Sequence, residues 1–125
     1  MNKTNISGRF TRDLNTSTGT RADGTTYSVT RGTVAVDNGR NADGSRKTLF
    51  FPIVAWNKTG ELLAKHCKKG DRINLWGKSE PTSEKKEDGT YVEHYVLNVE
   101  EIEFLEPLSK EEPKDEAVED DGRIY

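Results

Sequence analysis

Cysteine, histidine and long apolar runs are scarce in this 125-residue chain. The single cysteine, Cys67, cannot form a disulfide within the chain, and the amino terminus MNKTNISGRF lacks the apolar core of a secretory signal. No stretch has the apolar length that a membrane-spanning helix needs. These absences predict a reduced, cytoplasmic protein that does not associate with a membrane.

The residue patterns on which most enzymes depend are also missing. The two histidines, His66 and His94, fall on different predicted elements, and no CxxC or HExxH metal-binding pattern is present. The phosphate-loop pattern GxxxxGK[ST] is absent, which argues against ATP as a substrate. Cys67 has cationic neighbours, Lys68 and Lys69, that could lower its pKa, but no orienting base is recognisable. We therefore expect no enzymatic activity, no metal and no cofactor.

Charge is divided unevenly along the chain, whose net charge is -3. Residues 1–78 contain 14 Lys and Arg against 6 Asp and Glu, a net +8, whereas residues 79–125 contain 5 against 16, a net -11. The basic part has the sign expected of a phosphate-binding surface, and the acidic part would repel nucleic acid unless it is held away. The alternative explanation is that segregated charge only keeps a small domain soluble.

Alternating apolar and β-branched residues predict a small all-β domain. With 31% hydrophobic and 33% charged residues, the chain has room for one small core. Five strands are predicted, near residues 2–10, 27–37, 49–56, 72–78 and 91–105.

The segments between these strands predict one short helix and several loops. The helix is expected over residues 60–67, capped by Thr59, with Leu62, Leu63 and His66 on its apolar face. Polar segments that each contain an Asp-Gly pair are predicted as loops, over residues 15–26, 38–47 and 79–90.

The third predicted strand is unusual because both of its faces are apolar. Alternation places Leu49, Phe51, Ile53 and Ala55 on one face, and Phe50, Pro52, Val54 and Trp56 on the other. One face can form the core. On the other, Phe50 and Trp56 stand roughly 20 Å apart, a spacing that several stacked nucleotides could bridge.

The element order and several segments point to a known family. Five strands with a helix between the third and fourth is the order of the OB-fold, a five-stranded Greek-key barrel. Segments in the same order resemble those of bacterial and phage single-stranded DNA-binding proteins, namely GRFTRD at 8–13, VAVDN at 34–38, FFPIVAWNK at 50–58, LLAKHCKKGDRINLWGK at 62–78 and EIEFLEP at 101–107. The resemblance implies an OB domain over residues 1–107 that wraps unpaired DNA without catalysis and usually assembles as a homotetramer.

The resemblance and the residues together nominate a nucleic-acid site. Phe50 and Trp56 match the family's stacking positions, and Lys58 and Lys69 match its basic backbone contacts. Trp76 is a further stacking candidate, although it could equally cover a neighbouring strand or a subunit partner. Cations on or beside the strands are candidate phosphate contacts, namely Arg9, Arg12, Arg31 and Arg72. The 38–47 connection adds Arg40, Arg46 and Lys47, which either reach phosphates or belong to a solvated hairpin tip.

The segment from 79 to 90 departs from the family pattern. Glu84 stands where the family places an aromatic residue, and Glu80, Glu87 and Asp88 add further negative charge. We expect this hairpin to bind DNA poorly.

Residues 108–125 are predicted to form a disordered acidic tail. Many relatives end in an acidic run followed by Ile-Pro-Phe, a hook for replication and repair enzymes. Here the candidate hook consists of Glu119, Asp120, Asp121, Ile124 and Tyr125. The short charged linker before it resembles a phage- or mobile-element-type member, which would act in the cytoplasm of a bacterial host.

Two functions are therefore expected from the sequence. The first is sequence-independent binding and protection of single-stranded DNA in replication, recombination or repair, with RNA binding as a variant. The second is an OB-fold adaptor that binds little DNA and docks a partner through its acidic tail.

Overall fold

The computed structural model describes residues 1–105. It contains, in chain order, β1 (Thr4–Phe10), β2 (Asn15–Thr20), β3 (Thr26–Arg40), β4 (Arg46–Trp56), α1 (Asn57–His66), β5 (Arg72–Lys85) and β6 (Tyr91–Phe104). The strands form one sheet in the order β1-β5-β6-β4-β3-β2, and β1 also pairs with β3, so the sheet curls back on itself. This closed, mostly β arrangement with a single short helix confirms the predicted OB-fold class.

The segment predicted as a loop over residues 15–26 instead contributes a sixth strand. β2 pairs antiparallel with β3, from Asn15 opposite Arg31 to Thr20 opposite Thr26. Threonine is favourable in strands because its branched side chain suits a pleated surface, so TSTGT can form a strand once β3 is beside it. The loop prediction was wrong because the composition of this segment fits both structures.

The segment predicted as a long loop over residues 79–90 is mostly strand. β5 continues to Lys85, which lies opposite Tyr91 of β6, and only residues 86–90 form the turn. Pro81 is compatible with this strand because β1 pairs with β5 only as far as Gly77, leaving one edge free where a missing N–H does no harm. The predicted loop over 38–47 is likewise shortened to residues 41–45.

The turns of three hairpins, RADGT, NADGS and KEDGT, share the pattern Asp-Gly followed by Thr or Ser. In the last of them Gly89 has a φ of 91°, and the Asp88 carboxylate accepts hydrogen bonds from the Thr90 N–H (3.0 Å) and hydroxyl (2.6 Å). Corresponding bonds in the other turns involve Asp23 and Asp43. Because these bonds favour the charged carboxylate, they hold the pKa of all three aspartates below the usual value.

The core fills the inside of the barrel. Its largest fully buried hydrophobic side chains come from every strand except β2 and from the helix: Phe10, Val34, Ile53, Leu63, Ile73, Leu75 and Leu97. Four residues of β4 lie as predicted, since Ile53 and Ala55 are buried in the core cluster and Phe50 and Trp56 are exposed. Two do not, because Leu49 of the predicted core face is exposed and Val54 of the opposite face is buried.

The helix α1 starts earlier than the sequence indicated. It begins at Asn57, and Trp56, not Thr59, occupies the capping position without a side-chain cap bond. The Asn57 side-chain oxygen accepts a hydrogen bond from the main-chain N–H of Ser28 (3.0 Å), which ties the helix start to β3. Leu63 is fully buried, but Leu62, predicted to face the core, is exposed. Within residues 1–105 no helix is long and apolar enough to cross a membrane.

Candidate nucleic-acid interface

An open groove of about 760 Å³ crosses the outer surface of the sheet. One side carries Arg12, Arg31 and Trp56, together with one carboxylate, that of Asp13. The opposite side comes from the β5–β6 hairpin and carries Glu80, Glu84 and other polar residues. Of the predicted site residues, Arg12, Arg31 and Trp56 line this groove, whereas Phe50 does not.

The floor of the groove is formed by the outward face of β4. Pro52, Val54 and Trp56 line the groove, whereas Phe50, which is exposed on the same face of the strand, does not. Phe50 is 62% exposed and pairs with Ala35 of β3, whose small side chain leaves the ring uncovered. Two exposed rings on one face of a strand have the form of a stacking platform, and here the ring of Trp56 lies in the groove and that of Phe50 lies outside it.

Trp56 has an aromatic neighbour that sequence reasoning missed. The ring centroids of Trp56 and Tyr27 lie 5.9 Å apart with an interplanar angle of 56°. The guanidinium carbon of Arg21 in turn lies 5.2 Å from the centroid of the Tyr27 ring. Alternation alone places Tyr27 on the face of Val29, but the pairing of Val29 with Trp56, which brings the rings together, is a register that the sequence does not reveal.

The predicted phosphate contacts are spread over several surfaces. Arg12 and Arg31 line the groove, whereas Arg9 donates to the carbonyl oxygen of Gly70 (3.1 Å). Lys58 is exposed in the first turn of α1, and the Lys69 main-chain N–H donates to the Asp13 carboxylate (2.9 Å), leaving its side chain exposed.

The cations of the β3–β4 hairpin lie beyond the groove. Arg46 forms an exposed ion pair with Asp37 (2.9 Å), and Arg40 donates to the Gly44 carbonyl oxygen (2.9 Å). Lys47 is exposed. Exposed ion pairs contribute little free energy, so Arg46 can exchange Asp37 for another anion at small cost.

Arg72 and Trp76 lie on a different surface, and neither lines the groove. Both belong to the part of β5 that runs between β1 and β6, where Trp76 is half-buried opposite Asn5 and Glu101. The structure therefore does not bring Trp76 together with Trp56.

The two carboxylates on the acidic side of the groove are held by contacts with neighbouring side chains. The Glu84 carboxylate lies 3.0 Å from Nε2 of His94, and Glu80 accepts a hydrogen bond from the Asn98 side chain (3.3 Å). Among residues 1–105 no group of three or more His, Cys, Asp or Glu side chains is placed to hold a metal ion. Because phosphates are repelled by carboxylates, this side suits exclusion of a nucleic-acid backbone better than its binding.

Cys67 does not have the lowered pKa that its cationic neighbours suggested. The side chain is buried in the core cluster, and burial, assisted by the charge of Asp71, raises the pKa of its thiol to about 11. Lys68 and Lys69 are both exposed and project their charge into solvent. The candidate tail residues Glu119, Asp120, Asp121, Ile124 and Tyr125 lie outside the described residues.

Known proteins resemble this chain over most of its length. The model of the single-strand binding protein family matches residues 1–105. Single-stranded DNA-binding protein 3 of Clostridium acetobutylicum is 34% identical over 108 residues, which is 85% of this chain and 72% of that protein. The single-stranded DNA-binding protein of Caldanaerobacter subterraneus is 33% identical over 112 residues, covering 87% and 71%. That of Bacillus cereus is 32% identical over 110 residues, covering 86% and 61%. The chain belongs to the single-strand binding protein family.

Proposed function

We propose that this chain binds and protects single-stranded DNA independently of sequence. The observation that carries the proposal is the exposed indole of Trp56 at the end of a groove whose adjacent side holds Arg12 and Arg31. The names of the relatives, all single-stranded DNA-binding proteins, support it. Family membership also agrees with the expectation of a binding protein rather than an enzyme.

In this proposal, bases stack on the aromatic residues and phosphates meet the cations. Phe50 and Trp56 each accept a base, a contact typically worth about 1–3 kcal/mol, and Pro52 provides exposed apolar surface between them. Every base has an aromatic face, so stacking does not discriminate sequence. The cations proposed to neutralise phosphates are Arg9, Arg12, Arg31, Arg40, Arg46, Lys47, Lys58 and Lys69. Arg72, which the sequence also nominated, lies with Trp76 on the surface outside the groove and is not included.

The acidic side of the groove gives the bound strand a preferred lateral position. Glu80 and Glu84 repel phosphates, whereas Arg12 and Arg31 on the other side attract them. The backbone therefore lies nearest the arginines, and the bases point toward the floor formed by β4. An uncharged groove would not fix this position.

The test is a titration of intrinsic tryptophan fluorescence with a dT oligomer of about 35 nucleotides. We expect strong quenching, and a logarithm of affinity that falls with the logarithm of salt concentration at a slope of roughly -0.7 per neutralised phosphate. Duplex DNA of the same length is the control and should quench weakly. A protein that neither shows quenching nor retains labelled dT at low salt would refute the proposal.

The acidic side of the groove favours a second candidate function. An OB-fold adaptor would bind little DNA, and Glu80 and Glu84 beside the platform would then reflect loss of nucleic-acid binding. The same titration separates the two candidates, since the adaptor gives no salt-dependent quenching.

We further propose that residues 108–125 dock replication, recombination or repair proteins and compete with DNA for the basic groove. The carboxylates of this acidic segment attract the same cations as phosphates do. Deleting these residues should leave the domain of residues 1–107 folded and leave its dT affinity unchanged or higher. Weaker binding by the truncated protein at equal salt would contradict the competition.

A further inference from the structure

We infer that the β2–β3 hairpin extends the DNA-binding surface beyond the groove. In this inference Tyr27 fixes the orientation of Trp56, and Arg21 contacts a phosphate. The inference rests on the proposed function and names further residues of the same site. Neither Tyr27 nor Arg21 lines the groove itself. Tyr27 contacts Trp56, and Arg21 contacts Tyr27, so the three side chains form one continuous series.

The contact between Tyr27 and Trp56 restrains the indole without covering it. A centroid distance of 5.9 Å and a tilt of 56° fall in the range that aromatic pairs prefer. Trp56 nevertheless remains 41% exposed. A ring that is held in place before the ligand arrives loses less conformational freedom on binding, so Tyr27 increases the affinity of Trp56 for a base without touching the base itself.

The ring of Tyr27 occupies space that is free because residue 19 is a glycine. Gly19 of β2 lies directly opposite Tyr27 in the β2–β3 pair. A Cβ at Gly19 would lie 2.5 Å from the Tyr27 hydroxyl oxygen and 2.6 Å from its Cζ atom, so the phenol ring crosses the space that any side chain would occupy. The position of Tyr27, and through it that of Trp56, therefore depends on the absence of a side chain at residue 19.

Arg21 places a positive charge at the far end of this series. Its guanidinium carbon lies 5.2 Å from the Tyr27 ring centroid, and its Nη1 atom donates to the Thr25 hydroxyl (3.3 Å). Within residues 1–105 no carboxylate lies at ion-pair distance from Arg21, because the nearby Asp23 is bonded to Thr25. The remaining N–H groups of the guanidinium are available to a phosphate of a strand whose base stacks on Trp56.

The experiment uses the full chain carrying Trp76→Phe, so that Trp56 is the only tryptophan. In this parent, Gly19→Ala, Tyr27→Leu and Arg21→Ala are compared by dT titration over a range of salt concentrations. Lys65→Ala, which removes an exposed cation from α1, is the matched control for charge. Thermal unfolding followed by circular dichroism checks that each variant is folded.

We expect two distinct signatures. Arg21→Ala should weaken binding several-fold and make the salt slope shallower by about 0.7, the value of one phosphate contact, whereas Lys65→Ala should change neither. Gly19→Ala and Tyr27→Leu should shift the Trp56 emission of the free protein and weaken binding at least threefold, with the salt slope unchanged. Gly19→Ala is informative because it removes no group that would contact DNA.

The outcomes separate this inference from the proposed function. If the Trp76→Phe parent and the unmodified chain both fail to bind dT, the proposed function is refuted and the inference with it. If the parent binds, and Tyr27→Leu and Arg21→Ala bind as tightly with the same salt slope, only the inference about the hairpin is overturned. If Gly19→Ala does not fold, Tyr27→Leu alone tests whether the Tyr27 ring orients Trp56.

Discussion

Trp76 of β5 lies directly opposite Glu101 of β6, whereas Trp56 of β4 lies opposite the apolar Val29 of β3. A phosphate backbone that approached Trp76 would meet a carboxylate at the neighbouring position. One that approached Trp56 would meet Arg31, two residues from Val29 along β3 and on the same face. The two tryptophans thus differ in their nearest cross-strand neighbours, because a carboxylate lies opposite Trp76 and an apolar residue lies opposite Trp56.

We predict that Trp56→Leu weakens binding to single-stranded DNA by roughly 5- to 150-fold, because it removes a base stack worth about 1–3 kcal/mol. Trp76→Leu should change affinity by less than about threefold, since Trp76 lies outside the groove. Fluorescence anisotropy of a labelled dT oligomer measures both without relying on the tryptophans. Equal losses in the two variants would show that the surface formed by β1, β5 and β6 also binds DNA.

The β4 platform could be predicted from the sequence, whereas the position of Trp76 could not. Alternation fixes which side chains share a face of one strand, so Phe50 and Trp56 were correctly placed on the surface opposite Ile53. The neighbours of a residue on adjacent strands depend on register, which local sequence does not specify. Trp76 and Glu101 are 25 positions apart in the chain, and nothing near either residue indicates that they pair.

The β2–β3 hairpin was missed for a related reason. Its Thr, Ser and Gly residues are compatible with a loop, and a strand is favoured only when β3 supplies hydrogen-bond partners. The sequence predicts that Gly19 belongs to a loop, but in the structure its missing side chain leaves space for Tyr27. Arg21 and Tyr27 therefore join the candidate site only after the hairpin has formed.

Gly60 in α1 gives a prediction about stability. Alanine is normally more favourable than glycine inside a helix, by roughly 0.5–1 kcal/mol. Here a Cβ would lie 2.7 Å from the Thr30 hydroxyl oxygen and closer still to the main-chain oxygen of Ala55. We expect Gly60→Ala to lower the free energy of unfolding by about 1–3 kcal/mol in urea denaturation, because the helix must move away from the barrel.

Lys65→Ala on the same helix is the control for Gly60→Ala. Lys65 is exposed, so its replacement should change the free energy of unfolding by less than about 0.5 kcal/mol. If Gly60→Ala stabilised the protein, α1 would not pack as closely on β3 and β4 as the structure shows.

Cys67 should be unreactive in the folded protein. Burial raises the pKa of its thiol to about 11, and the reactive thiolate is therefore rare near pH 8. We expect a thiol reagent such as DTNB to react slowly with the native chain and rapidly in urea. Because the unfolded thiol ionises more readily, stability should also decline as pH rises from about 9 to about 11. Rapid labelling of the native protein would contradict the burial of Cys67.

The three aspartates of the hairpin turns should titrate below the usual range of carboxyl groups. For Asp88 the hydroxyl of Thr90 is the main cause, followed by its N–H. Since the folded pKa is lowered, the stabilisation by these bonds is present above the unfolded pKa, near 3.8, and is lost as pH falls through the folded value. Side-chain carboxyl chemical shifts measured by NMR across pH 2–6 report each group separately.

Thr90→Val tests the cause of this shift, because it removes the hydroxyl and keeps the branched shape and the main-chain N–H. The Asp88 pKa should rise toward its ordinary value, while those of Asp23 and Asp43, whose bonds come from Thr25 and Ser45, stay lowered. The mirrored change, Ser45→Ala, should raise the pKa of Asp43 alone. If the Thr90→Val protein gave an unchanged Asp88 titration, the hydroxyl would not be the group that stabilises the charged carboxylate, and the turn would depend on its backbone bonds and on the positive φ of Gly89.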